Sequence, residues 1–114
     1  MKPKKYDIIV VPFPFTDKSI NKKRPAIVLS QSGFNNGAEH SICAMITSSK
    51  NDPWPNDFEV GDLKSCGLPA ESTIRMKLFT IDHKIIIRKC GQLHKDEHDD
   101  LNATVAETLD LQIK

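Results

Sequence analysis

Three consecutive cations, Lys22, Lys23 and Arg24, stand immediately before Pro25, and Lys18 precedes them in the same polar segment. A residue before proline is biased to extended backbone, so Arg24 is predicted to begin a strand beside a loop. A planar guanidinium can hold two phosphate oxygens at once, and the lysines add positive charge. These residues therefore suit phosphate binding, but on charge alone a solvated loop tip is the preferred interpretation.

The histidines and cysteines are not spaced as in metal sites or redox-active thiol motifs. His94 and His98 are four residues apart, but the predicted helix begins between them and no third ligand accompanies them, so no zinc site is expected. Cys43, Cys66 and Cys90 are an odd set without CxxC spacing, which is typical of reduced thiols in a reducing compartment. We predict no metal, no cofactor and no Ser-His-Asp arrangement.

Length and charge bound the class of protein. A chain of 114 residues predicts one domain, residues 1–114, with a core that needs no metal or disulfide. The net charge of +1 excludes a polybasic surface, so any phosphate site must be local. No apolar run approaches the length of a membrane span and no signal-like segment precedes the first strand, so we expect a cytoplasmic protein.

Short apolar runs separated by turn residues predict a mainly β fold. The predicted strands are residues 6–13, 25–30, 40–47, 58–60, 72–77 and 83–93. Residues 31–38, 48–56 and 64–69 are predicted to be loops or irregular, and residues 78–82 a turn. Leu101, Val105 and Leu109 then recur every four residues, which predicts an amphipathic helix from Asp96 to about Leu111. Together these elements indicate a small, strongly bent sheet or barrel flanked by a C-terminal helix.

Four stretches carry a resemblance to a known family: residues 6–17 with 23–26, residues 46–48, residues 72–82, and Gly91 ahead of the helix. In these stretches the chain resembles the PemK/MazF family of toxin endoribonucleases. The resemblance implies an SH3-like β-barrel homodimer that cleaves single-stranded RNA (mRNA) without a metal or cofactor and is neutralised by a cognate antitoxin. Tyr6 departs from the family, which commonly has glycine at that position.

The resemblance implies that Arg24 and Thr47 are catalytic. RNA cleavage without metal requires deprotonation of the 2′-hydroxyl, protonation of the leaving 5′-oxygen and stabilisation of a charged phosphorane. Arg24 is expected to clamp the phosphoryl oxygens, and a part in proton transfer stays open. Thr47 would bond the phosphate or orient the 2′-hydroxyl, the alternative being a β-branched residue that simply ends a strand.

Ten further residues are candidates for RNA binding: Phe15, Asp17, Lys18, Lys22, Lys23, Ser48, Ser49, Ser72, Arg75 and Lys77. Phe15 would offer a stacking face or anchor the core, and the two consecutive serines would bind phosphate or only form a turn. Ser72, Arg75 and Lys77 are assigned to one strand face, either on RNA or simply solvated. Trp54, in a proline-flanked loop, suits base stacking, antitoxin docking or a lid on the barrel.

Two functions are consistent with these residues. The first is the toxin of a type II toxin-antitoxin system, a sequence-selective endoribonuclease. The alternative is a CcdB-like toxin of the same fold that binds and poisons DNA gyrase without nuclease chemistry. The Arg24-Pro25 pair and Thr47 favour the nuclease, because a protein that only binds has no need of that pairing.

Overall fold

The structure, a computed structural model, describes residues 1–13 and 22–112. The strands are β1 (Asp7–Pro12), β2 (Lys23–Val28), β3 (His40–Ser48), β4 (Phe58–Glu59), β5 (Ser72–Asp82) and β6 (Arg88–Gln92). The helices are α1 (Ser32–Ala38), α2 (Leu63–Cys66) and α3 (His98–Leu109), with 3-10 turns at His83–Ile85 and Lys95–Glu97. Among the described residues, no helix is long and apolar enough to cross a membrane.

The strands form one antiparallel sheet in the order β4-β5-β3-β2-β1-β6. The sheet curls into half a barrel, and its central strands are buried on both faces. Ile8 packs with Ile27 and Leu101 on the face covered by α3, whereas Ile9 packs with Ala26 on the opposite face. Side chains alternate along a strand, so one apolar run supplies both cores. The predicted mainly β, barrel-like fold with a C-terminal helix is confirmed.

The loop predicted at residues 31–38 is wrong, because this segment forms helix α1. The Gln31 side chain caps the helix by accepting a hydrogen bond from the Gly33 amide, and Glu39 closes it in the left-handed conformation. Asn35, which suggests a turn in the sequence, is fully buried, and its amide donates to two backbone carbonyls. Helix α2 likewise replaces part of the segment predicted to be irregular, capped by the Asp62 side chain.

The turn predicted at residues 78–82 is also wrong, because β5 continues to Asp82 along the full length of β3. Ala44 pairs with Leu78 and Met45 pairs with Arg75, so β5 contains a bulge of two extra residues between these pairs. The bulge lets a long strand bend without losing its partner. The bent β5 therefore carries side chains to the open end of the sheet.

Helix α3 begins at His98, two residues later than predicted, after a 3-10 turn in which the His94 ring accepts from the Asp96 amide. Leu101 is fully buried against the sheet. A β-carbon at Gly91 would overlap the Ser65 carbonyl oxygen, so glycine is required where α2 lies against β6. Helices α2 and α3 thus cover the face of the sheet that carries Ile8 and Ile27.

Candidate active site

Strand register brings the two predicted catalytic residues to the same level of the sheet. β2 and β3 are paired up to Ala26 and Met45, and two further residues in the same register bring Arg24 opposite Thr47. Thr47 is itself paired with Thr73 on β5. Directly opposed residues point to the same face, so these side chains form a row across three strands.

A pocket of about 190 Å³ lies on this face. It is lined by Phe13, Arg24, Met45, Ile46, Thr47, Asn51, Trp54, Arg75 and Lys77. The structure thus brings together Arg24, Thr47, Arg75 and Lys77, which sequence reasoning placed in separate elements. Guanidinium, ammonium and hydroxyl groups that converge on one space can bind an anion directly.

Two of the cations share one aromatic ring at the pocket. Arg24 Cζ lies 5.6 Å and Lys77 Nζ 5.4 Å from the centroid of the Phe13 ring. Contacts of this length are cation–π interactions, which hold the charged groups in place without neutralising them. Neither cation forms an ion pair with the described residues, so both charges are available to a bound anion.

The Thr47 hydroxyl is oriented by a residue four positions later. The Asn51 side chain donates a hydrogen bond from Nδ2 to Thr47 Oγ1. The backbone amide of Asn51 donates to the Ser48 carbonyl at 3.1 Å, which closes the turn after β3. An amide nitrogen can only donate, so Thr47 Oγ1 is the acceptor. The Thr47 hydroxyl proton is therefore directed away from Asn51 and can be donated to a ligand.

Arg75 is committed to the loop after β3. Its Nε and Nη2 donate to the two carboxylate oxygens of Asp57 at 3.2 and 3.1 Å, and Nη2 also donates to the Asp52 carbonyl at 2.7 Å. Burial raises the pKa of Asp57, but hydrogen bonds from Arg75 and the Trp54 amide and the Arg75 charge together hold that pKa below its usual value. Arg75 therefore fixes the loop that follows β3, and its positive charge is compensated by the Asp57 carboxylate.

The three predicted serines lie outside this pocket lining. Ser49 Oγ donates to Glu59 at 2.7 Å, and Ser48 Oγ accepts from the Lys50 amide. Ser72 is buried, and its hydroxyl donates to the Ala70 carbonyl. The assignment of Ser72 to the face of Arg75 and Lys77 is wrong. Successive side chains of a strand point to opposite faces, and Ser72 is three residues from Arg75 in unbroken register, so the two lie on opposite faces.

Thr73, which sequence reasoning missed, takes the place predicted for Ser72. Its hydroxyl donates to Glu59 at 2.7 Å, so Glu59 accepts from hydroxyls on both β5 and the loop. Counting in steps of two from Arg75 would have identified Thr73. Asn51 gave no comparable signal, because an asparagine in a polar loop is an ordinary turn residue.

The remaining predicted RNA-binding residues lie between the end of β1 and the first residue of β2 in the chain. Lys22 and Lys23 are exposed, and Lys23 lines a separate cavity with Pro25 and Arg88. Phe15, Asp17 and Lys18 lie outside the described residues.

In the described part of the chain, the possible metal ligands are dispersed and two of the three cysteines are buried. No group of three His, Cys, Asp or Glu residues there is arranged to hold a metal ion. Burial raises the pKa of Cys43 to about 12 and that of Cys66 to about 11, so both thiols stay protonated at neutral pH.

Comparison with known proteins identifies a family. A family model described as a PemK-like, MazF-like toxin of type II toxin-antitoxin system matches residues 4–109. No curated protein sequence matches the chain.

Several solved structures share the fold. An endoribonuclease in complex with its cognate antitoxin, from a mycobacterial species, has a TM-score of 0.76 at 13% identity, covering 99% of this chain and 98% of that one. A MazE-MazF complex from Deinococcus radiodurans has a TM-score of 0.74 at 14% identity, covering 98% and 99%. Toxin MazF-mt6 of Mycobacterium tuberculosis has a TM-score of 0.74 at 19% identity, covering 94% and 99%.

Proposed function

This chain belongs to the PemK-like, MazF-like toxins of type II toxin-antitoxin systems, and we propose that it is a metal-independent, sequence-selective endoribonuclease that cleaves single-stranded RNA. The observation that carries this proposal is the pocket in which Arg24, Thr47 and Lys77 converge. An anion in this pocket would contact Arg24 and Lys77, neither of which has an ion pair with the described residues. It would also contact the Thr47 hydroxyl, whose O–H is available to donate a hydrogen bond. Two structures of similar fold, an endoribonuclease in complex with its cognate antitoxin and a MazE-MazF structure, support the same class.

In the proposed reaction the ribose 2′-oxygen attacks the adjacent phosphorus as its proton passes to solvent water. The bond from phosphorus to the 5′-oxygen breaks, and that oxygen takes up a proton from water, so that no net proton is gained or lost. The products are a 2′,3′-cyclic phosphate and a free 5′-hydroxyl. Arg24 holds two non-bridging oxygens with its planar fork, Lys77 adds positive charge, and the Thr47 hydroxyl donates a hydrogen bond to a phosphate oxygen. Electrostatic stabilisation of this kind is worth most where charge develops in the transition state.

The experiment that tests the proposal is incubation of the purified protein with a long single-stranded RNA in excess EDTA. We expect cleavage to persist and the downstream fragments to carry a 5′-hydroxyl. An Arg24→Ala protein purified in parallel controls for contaminating ribonuclease. Loss of cleavage in EDTA that a divalent cation restores contradicts the proposal, and intact RNA combined with inhibition of DNA gyrase supports the CcdB-like alternative.

We also propose that the protein is a cytoplasmic homodimer and that its antitoxin and RNA compete for the segment of residues 16–23. Lys18, Lys22 and Lys23 lie in this segment, and Asp17 is its one acidic residue. A local positive field attracts an RNA backbone or an acidic antitoxin segment even at a net charge of +1. Two of the similar structures are complexes of a toxin with its antitoxin.

This second proposal is tested by neutralising the three lysines. We expect weaker binding of RNA and antitoxin, a smaller dependence of RNA affinity on salt, and an unchanged dimer in analytical sedimentation. A monomer at micromolar concentration, or an unchanged salt dependence in the neutralised variant, contradicts it.

A further inference from the structure

Trp54 is an exposed aromatic residue at the edge of the candidate active site. It is 44% exposed, and it lines the same pocket as Arg24 and Thr47. An exposed indole loses the stabilisation that burial in a core would provide. Its position beside the predicted catalytic groups therefore calls for a functional explanation.

The loop that carries Trp54 is held in one conformation. Prolines precede and follow Trp54, which restricts the backbone on both sides. The Trp54 amide donates to Asp57 at 2.9 Å, and Arg75 grips the same carboxylate. Asn56, two residues after Trp54, has a positive φ of 60° and anchors the segment to α3 by donating to Thr108 at 2.9 Å. The indole is thus presented on a rigid support.

The Arg75 guanidinium covers the indole from one side, with Cζ 5.2 Å from the ring centroid. A flat ring that is backed by a cation and open to a pocket suits stacking of another flat ring. We propose that Trp54 is the stacking platform for an RNA base next to the scissile phosphate. This inference rests on the proposed nuclease function, and it assigns a nucleobase site to a residue outside the predicted catalytic pair.

The charges favour RNA over an acidic peptide as the occupant of this site. Asp57 compensates Arg75, the cation beside the indole. Arg24 and Lys77, which have no ion pair with the described residues, lie instead against the Phe13 ring. The uncompensated cations and the exposed indole therefore lie side by side in one pocket as two distinct groups. Single-stranded RNA has the matching arrangement, with a charged phosphate next to a flat base. An acidic peptide would be drawn to the cations without requiring the indole.

Intrinsic fluorescence tests the site directly, because Trp54 is the sole tryptophan of the chain. Cleavage mapping on a long RNA first identifies a cut site, and an oligonucleotide spanning it with 2′-deoxyribose at the cut position then serves as the uncleavable probe. We expect binding to quench the fluorescence. Abasic substitutions along the probe should abolish quenching at one position beside the cut. Inorganic polyphosphate, which lacks bases, should not quench.

Variants measure what the stack contributes. Trp54→Leu should weaken binding of the probe roughly 5-fold to 100-fold, the range expected for one base stacked on an aromatic ring, and raise KM more than it lowers kcat. Trp54→Phe, which keeps a flat ring and tests for a fold defect, should retain most of the affinity. Phe34→Leu is the matched control, because Phe34 on α1 is 43% exposed and lies outside this pocket lining.

The outcomes separate this proposal from the nuclease itself. Cleavage in EDTA together with unquenched fluorescence on bound probe, detected by anisotropy of a labelled strand, overturns the Trp54 site and leaves the nuclease intact. Unchanged affinity in Trp54→Leu, or equal quenching by polyphosphate, also overturns it. If the protein leaves RNA uncut, the long single-stranded RNA itself serves as the probe: quenching by this RNA but not by polyphosphate supports a base site at Trp54 while it removes the nuclease, and equal quenching by both overturns the base site as well.

Discussion

The Tyr6 ring lies parallel to the His98 imidazole, with their centroids 3.5 Å apart and their planes 10° apart. Tyr6 has a left-handed backbone, with a φ of 78°, at the position where the family commonly has glycine. Its hydroxyl donates to Asn102 on α3 at 3.0 Å. Contacts with α3 therefore compensate for a backbone conformation that a residue with a β-carbon adopts at a cost.

The stack predicts an unusual order of stability at Tyr6. Tyr6→Ala loses the stack and the hydroxyl bond yet keeps the backbone cost, whereas Tyr6→Gly loses the same contacts and removes that cost. We expect Tyr6→Gly to be about 1 kcal/mol more stable than Tyr6→Ala, and the native protein to exceed Tyr6→Ala. Urea unfolding measures all three. Equal stability of the two variants would show that the positive φ costs nothing.

Substitution of Arg24 and Thr47 tests the predicted catalytic pair. Arg24→Ala should lower kcat about 100-fold or more with the fold intact by circular dichroism, because one electrostatic contact to the reacting phosphate is lost. Arg24→Lys should restore little, because an ammonium lacks the planar fork. Thr47→Ala should reduce the rate strongly and Thr47→Ser much less, since the hydroxyl is the acting group. Wild-type rates in both alanine variants would refute this assignment.

The hydrogen bond that Asn51 donates to Thr47 predicts that two substitutions of Asn51 lower the activity to different extents. Asn51→Ala frees the Thr47 hydroxyl to rotate and should lower kcat up to about 10-fold, the value of one hydrogen bond, with KM nearly unchanged. Asn51→Asp should be worse, because the Thr47 hydroxyl would donate its hydrogen bond to the new carboxylate and not to the substrate. The activity of this variant should recover at acidic pH, where the carboxylate is protonated. Asn36→Ala, at an exposed asparagine of α1 outside the pocket lining, is the control. An Asn51→Asp variant with the wild-type pH profile would contradict this role.

The pair of Asp57 and Arg75 predicts a stability difference that depends on pH. The pKa of Asp57 is held below its usual value of 3.8, so the folded state favours the carboxylate. That contribution is complete above the unfolded pKa and is lost as the pH falls through the folded one. Asp57→Asn should cost about 2 kcal/mol at pH 7, and the cost should shrink in urea unfolding below about pH 4.

Asp52→Asn is the matched control for Asp57, because Asp52 contributes its backbone carbonyl to Arg75. Its cost should be small at both pH values. A difference between Asp57→Asn and the native protein that is independent of pH would show that the carboxylate charge is not what stabilises the loop.

Local sequence determined most of the backbone and the identity of the predicted catalytic residues. Short apolar runs bounded by turn residues predicted β1, β2 and β3 to within a few residues, and the four-residue spacing predicted α3. These signals are short in range, because side-chain periodicity reflects the backbone geometry of a single element. Family motifs then singled out Arg24 and Thr47, and the functional roles of the pair stay predictions.

Only the tertiary structure decided which side chains meet. Pairing with β3 extended β5 past its predicted end, and a long-range hydrogen bond from the buried Asn35 side chain to the Pro3 carbonyl accompanied a helix where the composition indicated a loop. Register between β2, β3 and β5 brought Arg24 level with Thr47, and replaced Ser72 with Thr73. A one-residue change of register reverses every side chain, and pairing between distant strands sets that register. No single stretch of sequence contains that information.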